Sequence, residues 1–373
     1  MHITSGRGLR RTPAHFDTAI RRVAGLVVTT LVIASCASAP DSNAPDWQPP
    51  PLPTDTTLPK PATPATKPAA SFVATSDREI GGCTVYPRDH FLNAREVDTL
   101  PVHPRSADYV RFLGGEDTTL KTPSSSVWEG SRPGMPINVV DSRETGMKSV
   151  QLNTNWTTRG WFGGYPIPSS PRIQGYPGTA WDRHLIMVDQ ADCTAYELIQ
   201  YDRHVYDLTG LHTALSGVKY SLFSTDMPKI TTNVANTPMV GQYVMVDEAN
   251  AGRVEHPLAF CSSTTGAGVT WPARMSDGQW DRPDAPPIGT WIRLRADVDL
   301  GRFEGQALAI AKAMREHGMV LTDTCGHRFS VLGENSDGWN KSQLTELGRL
   351  TIADFEAVDV SPMKRSDDSF RIR

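Results

Sequence analysis

The sequence predicts a mostly β fold: an antiparallel β-sandwich or jelly-roll-like domain with a few peripheral helices. Two observations carry that expectation. Short apolar or alternating runs recur through residues 83–360, each closed by Gly, Pro, Asn or Asp, which is the pattern of strands joined by turns. Only Phe303–His317 holds a helical period over several turns.

The fold begins late in the chain. Residues 1–36 read as a lipoprotein signal peptide: Arg10, Arg11, Arg21 and Arg22 give a positive n-region, Val23–Ile33 an apolar stretch, and Ala34 and Ser35 are small residues before Cys36. Ile33-Ala34-Ser35-Cys36 resembles a bacterial lipobox, which implies cleavage before Cys36, diacylation of its thiol and attachment to a membrane without a spanning helix. An ordinary signal peptide cut after Ala37 or Ala39 is the alternative, and the arginine pairs lack the rest of a twin-arginine motif. Residues 37–76 carry ten prolines between Pro40 and Pro68 and read as a disordered, polyproline-like linker. Residues 77–373 form one β-rich domain. Setting Cys36 aside, Cys83, Cys193, Cys261 and Cys325 are an even number in an exported chain, without zinc-knuckle spacing. Two disulfides are expected, in any of three pairings.

Along the domain, Cys83–Pro87 is a short strand, and Arg105–Leu113 a short helix that Ser106 caps and Gly114 ends. Ile137–Asp141 and Val150–Asn153 are strands. Gly160–Pro168 is a loop whose Trp161 and Tyr165 either cap the core or offer flat faces to sugar rings. Leu185–Val188 and Tyr196–Leu198 form a hairpin across Gln190-Ala191-Asp192. Residues 205–244 are turn-rich and polar. Val244–Glu248 and Val254–Phe260 read as a second hairpin, Trp291–Ala296 as an alternating strand, and Met319–Asp323 as a buried one. Phe303–His317 is a helix that Gly318 terminates, Asn340 starts a short helix through Leu347, and Phe355–Val360 is the last strand.

The ionisable residues concentrate on the two hairpins. Strand alternation places Asp182 and His184 on one face at the end of the first, with Asp189 and Glu197 nearby. The second repeats this with Asp247, Glu248 and His256, so the two are expected to face each other across one cleft. A lone strand histidine is more often structural than functional, and both readings stay open.

The series Cys83-x-Val85-Tyr86-Pro87, Leu100-Pro101-Val102-His103-Pro104-x-Ser106, Tyr165-Pro166-Ile167-Pro168, Asp182-Arg183-His184-x4-Asp189, Tyr196-Glu197-Leu198, Asp247-Glu248 with Gly252-x3-His256, Trp271-Pro272-Ala273-Arg274 and His317-Gly318-Met319-x3-Asp323 resembles a family of secreted bacterial proteins common in actinobacteria and myxobacteria. The resemblance spans most of residues 80–360, departs from the family's wording between 205 and 240, and implies export but no established activity.

Net charge of -4 and a pI near 6.2 leave no basic footprint, so nucleic acid is not an expected partner. No Gly-x-Ser-x-Gly elbow, P-loop or Rossmann fingerprint appears, and no cofactor is expected. Three functions fit. The first is a glycoside hydrolase on envelope or environmental polysaccharide, with Asp182 and Glu248 as the carboxyl pair and His184 and His256 beside them. Trp161, Tyr165, Asp189, Trp271, Arg274 and Asp323 would then contact substrate. The second is a non-catalytic protein that binds polysaccharide or cell-wall glycan, tethered to the membrane through Cys36. The third is a metal-dependent hydrolase using Asp182, His184, Asp189 and His256, with no His-Glu-x-x-His signature to support it.

Overall fold

A computed structural model describes residues 78–153, 160–178, 181–228 and 230–373. The stretches expected to be a signal segment and a linker, with Cys36, lie outside the described residues. The rest is predominantly sheet, with fifteen short strands and six helices in several small open sheets.

Four strands make the first sheet: β1 (Ile137–Val140), β2 (Leu185–Asp189), β3 (Thr194–Ile199) and β4 (Ser216–Ser221), in that order. The expected hairpin is β2 with β3, in register from Leu185 opposite Leu198 to Asp189 opposite Thr194. All five residues of β2 are buried, so a continuous apolar run, rather than an alternating one, is what its two covered faces require. β4 lies in the region read as turns. Its sequence Ser-Gly-Val-Lys-Tyr-Ser has too little apolar content to announce a strand; pairing along the whole of β3 makes it one.

The second sheet contains β5 (Leu258–Ser262), β6 (Trp291–Leu294), β7 (Met319–Thr324), β8 (Ser330–Val331) and β9 (Phe355–Ala357), ordered β8-β5-β7-β6-β9. The structure shows neither a sandwich nor a jelly roll, and it corrects the antiparallel expectation: β1 runs parallel to β2, and β5 parallel to β7. Parallel neighbours need long connections. The one between β5 and β7 contains the helix Gly305–Glu316, which is not peripheral. Its Ala307, Ile310, Ala311 and Met314 are buried in one core with Leu258, Phe260, Leu321 and Phe355. Gly318, at φ 72°, takes the left-handed turn that leads the chain from this helix into β7, and its N–H bonds the Ala313 carbonyl at 3.0 Å.

Two local expectations are corrected. Ser106 is the first residue inside its helix, and its hydroxyl accepts from the Ala357 N–H at 2.8 Å, pinning the helix to β9. Val246–Asn250 is a helix, not a strand: Glu248, three residues after Met245, reaches back to the Met245 N–H, and a carboxylate there also suits the helix dipole. Asn340 caps its helix as expected, accepting from the N–H groups of Ser342 and Gln343.

Disulfides join Cys83 to Cys193 and Cys261 to Cys325. The first ties the N-terminal strand to the β2–β3 turn and the second ties β5 to the end of β7, as an oxidising, extracytoplasmic environment permits. Among the described residues no helix is long and apolar enough to cross a membrane.

Candidate functional site

A cavity of about 380 Å³ lies where one end of the first sheet meets the C-terminal end of β7. The segment before β2 supplies Asp182 and His184, the end of β3 Ile199, the start of β4 Ser216, and the end of β7 Asp323 and Thr324. Two loops, 230–234 and 275–277, complete it. Asp182 and His184 therefore do share a site, though not by strand alternation. Arg183 sits at φ 53°, and backbone bonds from Gln200, Tyr201 and Gln174 to the carbonyls of Asp182, Arg183 and His184 hold this segment ahead of the strand.

Asp323 is aimed by a fault in the ladder. Between Leu321 and Asp323, β7 carries one more residue than β5 opposite it. Without this bulge Asp323 would follow Leu321 into the core; the extra residue turns it toward the cavity. Burial, with Asp182 next and Asp277 a smaller contributor, pushes the Asp323 carboxyl up to about 8, against the N–H groups of Thr324 and Val234 that favour its ionised form. Burial also raises Asp182, which keeps a solvent-exposed side. Two carboxyl groups in one cavity with one held protonated at neutral pH is the arrangement that divides acid from base.

His184 is 1 % exposed, and burial lowers it to about 4, so it stands neutral. Its Nδ1 and the Oγ of Ser216 are buried and have no hydrogen-bond partner among the described residues. Both side chains line the cavity, where unsatisfied polar groups are suited to a polar ligand. Behind the cavity, Glu197 is fully buried, and its charge is opposed by desolvation and supported by four donors. It accepts from the hydroxyls of Tyr220 and Thr232 and from the N–H groups of Thr232 and Met239, which fastens the 230–239 loop to β3.

Ser216, Thr231, Thr232, Asn233 and Asp277 are cavity residues that the sequence reading missed. They are small polar residues in segments without apolar periodicity, and Asp277 alone among them carries a charge as a local signal.

The remaining expected site residues lie elsewhere. Glu248 and His256 do not line this cavity; they bond each other at 3.1 Å, with Arg78 at 3.6 Å from Glu248. The two acid-and-histidine segments thus do not share a cleft, because Glu248 belongs to a helix packed on the Gly305–Glu316 helix. Asp189 is buried and accepts from the N–H groups of Ser142 and Ala191, a turn-forming role. Tyr165 is wholly buried and donates to the Trp161 carbonyl at 2.7 Å, while Trp161 packs beneath Lys219, whose Nζ lies 3.8 Å from the ring centre. Trp271 is buried, stacks on Trp291 and donates to the Ser369 carbonyl. Arg274 braces the cavity wall from behind, its guanidinium donating to the Pro228 carbonyl and its N–H to that of Ala235.

Among the described residues no group of three or more His, Cys, Asp or Glu is arranged to hold a metal ion. Comparison with protein-family models, with curated proteins and with solved structures finds no match.

Proposed function

We propose that the protein hydrolyses glycosidic bonds, with Asp323 as general acid and Asp182 as the ionised partner that acts as base or nucleophile. The observation that carries this reading is the shared cavity, in which burial and the neighbouring carboxyl keep Asp323 protonated to about pH 8 while Asp182 reaches solvent. Glycoside hydrolysis needs this division: a proton for the leaving oxygen and a carboxylate for the sugar carbon or the attacking water. Neutral His184 and Ser216 supply hydrogen bonds to substrate hydroxyls. The partner of Asp182 in this reading is Asp323 and not the Glu248 that the sequence suggests, because Glu248 does not line the cavity.

The test is release of reducing ends from polysaccharide as pH is varied. Asp323 must hold its proton, so activity falls as pH rises through about 8; Asp182 must be ionised, so activity also falls in acid, at a pH above its ordinary 3.8. The two limits belong to the coupled pair. Release that continues undiminished well above pH 9 would remove Asp323 as the acid.

We further infer that the chain is a lipoprotein held at a membrane through Cys36. Support comes from the lipobox-like Ile33-Ala34-Ser35-Cys36 and from two disulfides consistent with export. Cells fed a palmitate analogue are expected to label the wild-type chain and not Cys36→Ala; equal labelling of both would refute the anchor.

A further inference from the structure

One residue before Asp182 begins an aromatic pair, Trp181 with Trp128, that the catalytic chemistry does not use. Trp128 opens a two-residue turn, Trp128-Glu129-Gly130-Ser131, closed by backbone bonds of 2.7 and 3.0 Å between Trp128 and Ser131. Glu129 and Gly130 both have positive φ, 49° and 78°, the geometry of a tight type I′ turn. Next to it, Gly130 lies close to Pro177, and Gly178 leaves room for Glu129. The turn is thus braced against the 175–178 loop. Trp128 is nevertheless 55 % exposed, and its ring meets Trp181 edge to face at 5.4 Å. Trp181 in turn lies on the bare backbone of Gly175, where any Cβ would collide with its ring. Trp181 directly precedes Asp182.

A large indole held rigidly and left open to solvent is unfavourable for a free surface and well suited to stacking against the C–H face of a sugar. The cavity adds a charge preference: Asp182 and Asp277 line it as carboxylates beside the protonated Asp323, and none of the lining residues is a Lys or Arg. Acidic sugars would be repelled there.

We propose that Trp128 and Trp181 form a sugar-stacking subsite for a glycan chain without acidic groups, seating a sugar next to the one held at the carboxyl pair. This rests on the glycan reading above and names its substrate class.

The experiment measures retention of the full-length protein in gels containing a neutral β-glucan, glycol chitosan or polygalacturonate, with reducing-end release assayed in parallel. Wild type is expected to be retained by the neutral or the amino-sugar polymer and not by polygalacturonate. Trp128→Ala should weaken retention about tenfold, and Trp128→Phe should restore most of it. Because Trp128 is exposed at a turn, Trp128→Ala leaves the core intact, which its thermal melt verifies. Retention of Trp128→Ala equal to wild type, or preference for polygalacturonate, would overturn the subsite, as would failure of all three polymers to retain the wild type. Weakened retention in a protein that releases no reducing ends keeps the subsite and removes the hydrolase. Unchanged retention with undiminished release does the reverse.

Discussion

Asp323→Asn should abolish hydrolysis while making the folded protein more stable at neutral pH. The loss follows from the missing proton: a positioned general acid contributes about 10²- to 10⁴-fold, and an amide has no acidic proton to give the leaving oxygen. Glycan retention should persist, because the amide oxygen still accepts from Thr324, whose N–H lies 2.9 Å from Oδ1. The gain in stability comes from linkage. The folded carboxyl titrates near 8 against an ordinary 3.8, so its favourable contribution is complete below pH 3.8 and is lost as pH rises through about 8. At pH 7 the wild type therefore carries a penalty that Asn lacks, on the order of 2–3 kcal/mol once discounted for the carboxyl's access to the cavity. Thermal melts of the two proteins should nearly coincide at pH 4 and separate by several degrees at pH 8, with Asp323→Asn the higher. A variant that melts below wild type at pH 8, or that keeps its activity, would contradict the assignment. Loss of function joined to gain of stability marks a residue kept for chemistry at a cost to the fold.

Glu248→Gln should do the opposite, destabilising the fold by up to about 3 kcal/mol and leaving the carboxyl cavity untouched. Glu248 packs against Arg78, which is 8 % exposed and also donates to the Leu92 and Gly241 carbonyls and to Asn93. Burial alone would raise Glu248; His256, Arg78 and the Met245 N–H outweigh it and hold the carboxyl near 2, against an ordinary 4.5. That difference sets an upper bound of about 3 kcal/mol, because at pH 7 the buried His256 is neutral and supports Glu248 through its hydrogen bond and not its charge, leaving Arg78 as the charged partner. His256 stabilises the arrangement, bonding Glu248 through Nε2 and the Pro257 carbonyl through Nδ1 at 2.8 Å, although burial and Arg78 lower its own pKa. The pH dependence has the sign opposite to that of Asp323. Stability from a depressed carboxyl is present above pH 4.5 and is lost as pH falls toward 2, so wild type and Glu248→Gln should converge over that window. Denaturant melts at pH 7 and pH 3 measure it; an equal gap at both would mean the effect is packing, not charge.

The contrast between these acids shows how far the site was legible. Asp182, His184 and Asp323 stood out because charged residues at the ends of apolar runs are costly unless used, and that cue is local. Pairing Asp182 with Glu248 failed because Val244–Glu248 is a short apolar run ending in acids, a pattern that a strand and the first turn of a capped helix share. Glu197 was expected near Asp182 and His184, yet it is buried behind the cavity, since the 230–239 loop covers that side with donors from distant positions. Tyr165 and Trp271 looked like ligand platforms because a loop aromatic carries the same local signature whether it faces solvent or core.

By itself, then, the sequence determined the elements whose cues are short-ranged: the β2–β3 hairpin, the helix ending at Gly318, the Asn340 cap and the even number of cysteines available for pairing. Only the tertiary structure decided which strands run parallel, which cysteines join, that β4 is a strand, and that Asp182 meets Asp323 rather than Glu248. The physical reason is range. Turns, caps and periodicity are set by neighbours within a few residues, whereas strand partners and cavity walls depend on which distant surfaces exclude water together, and a one-residue bulge in β7 is enough to turn Asp323 from core to cavity.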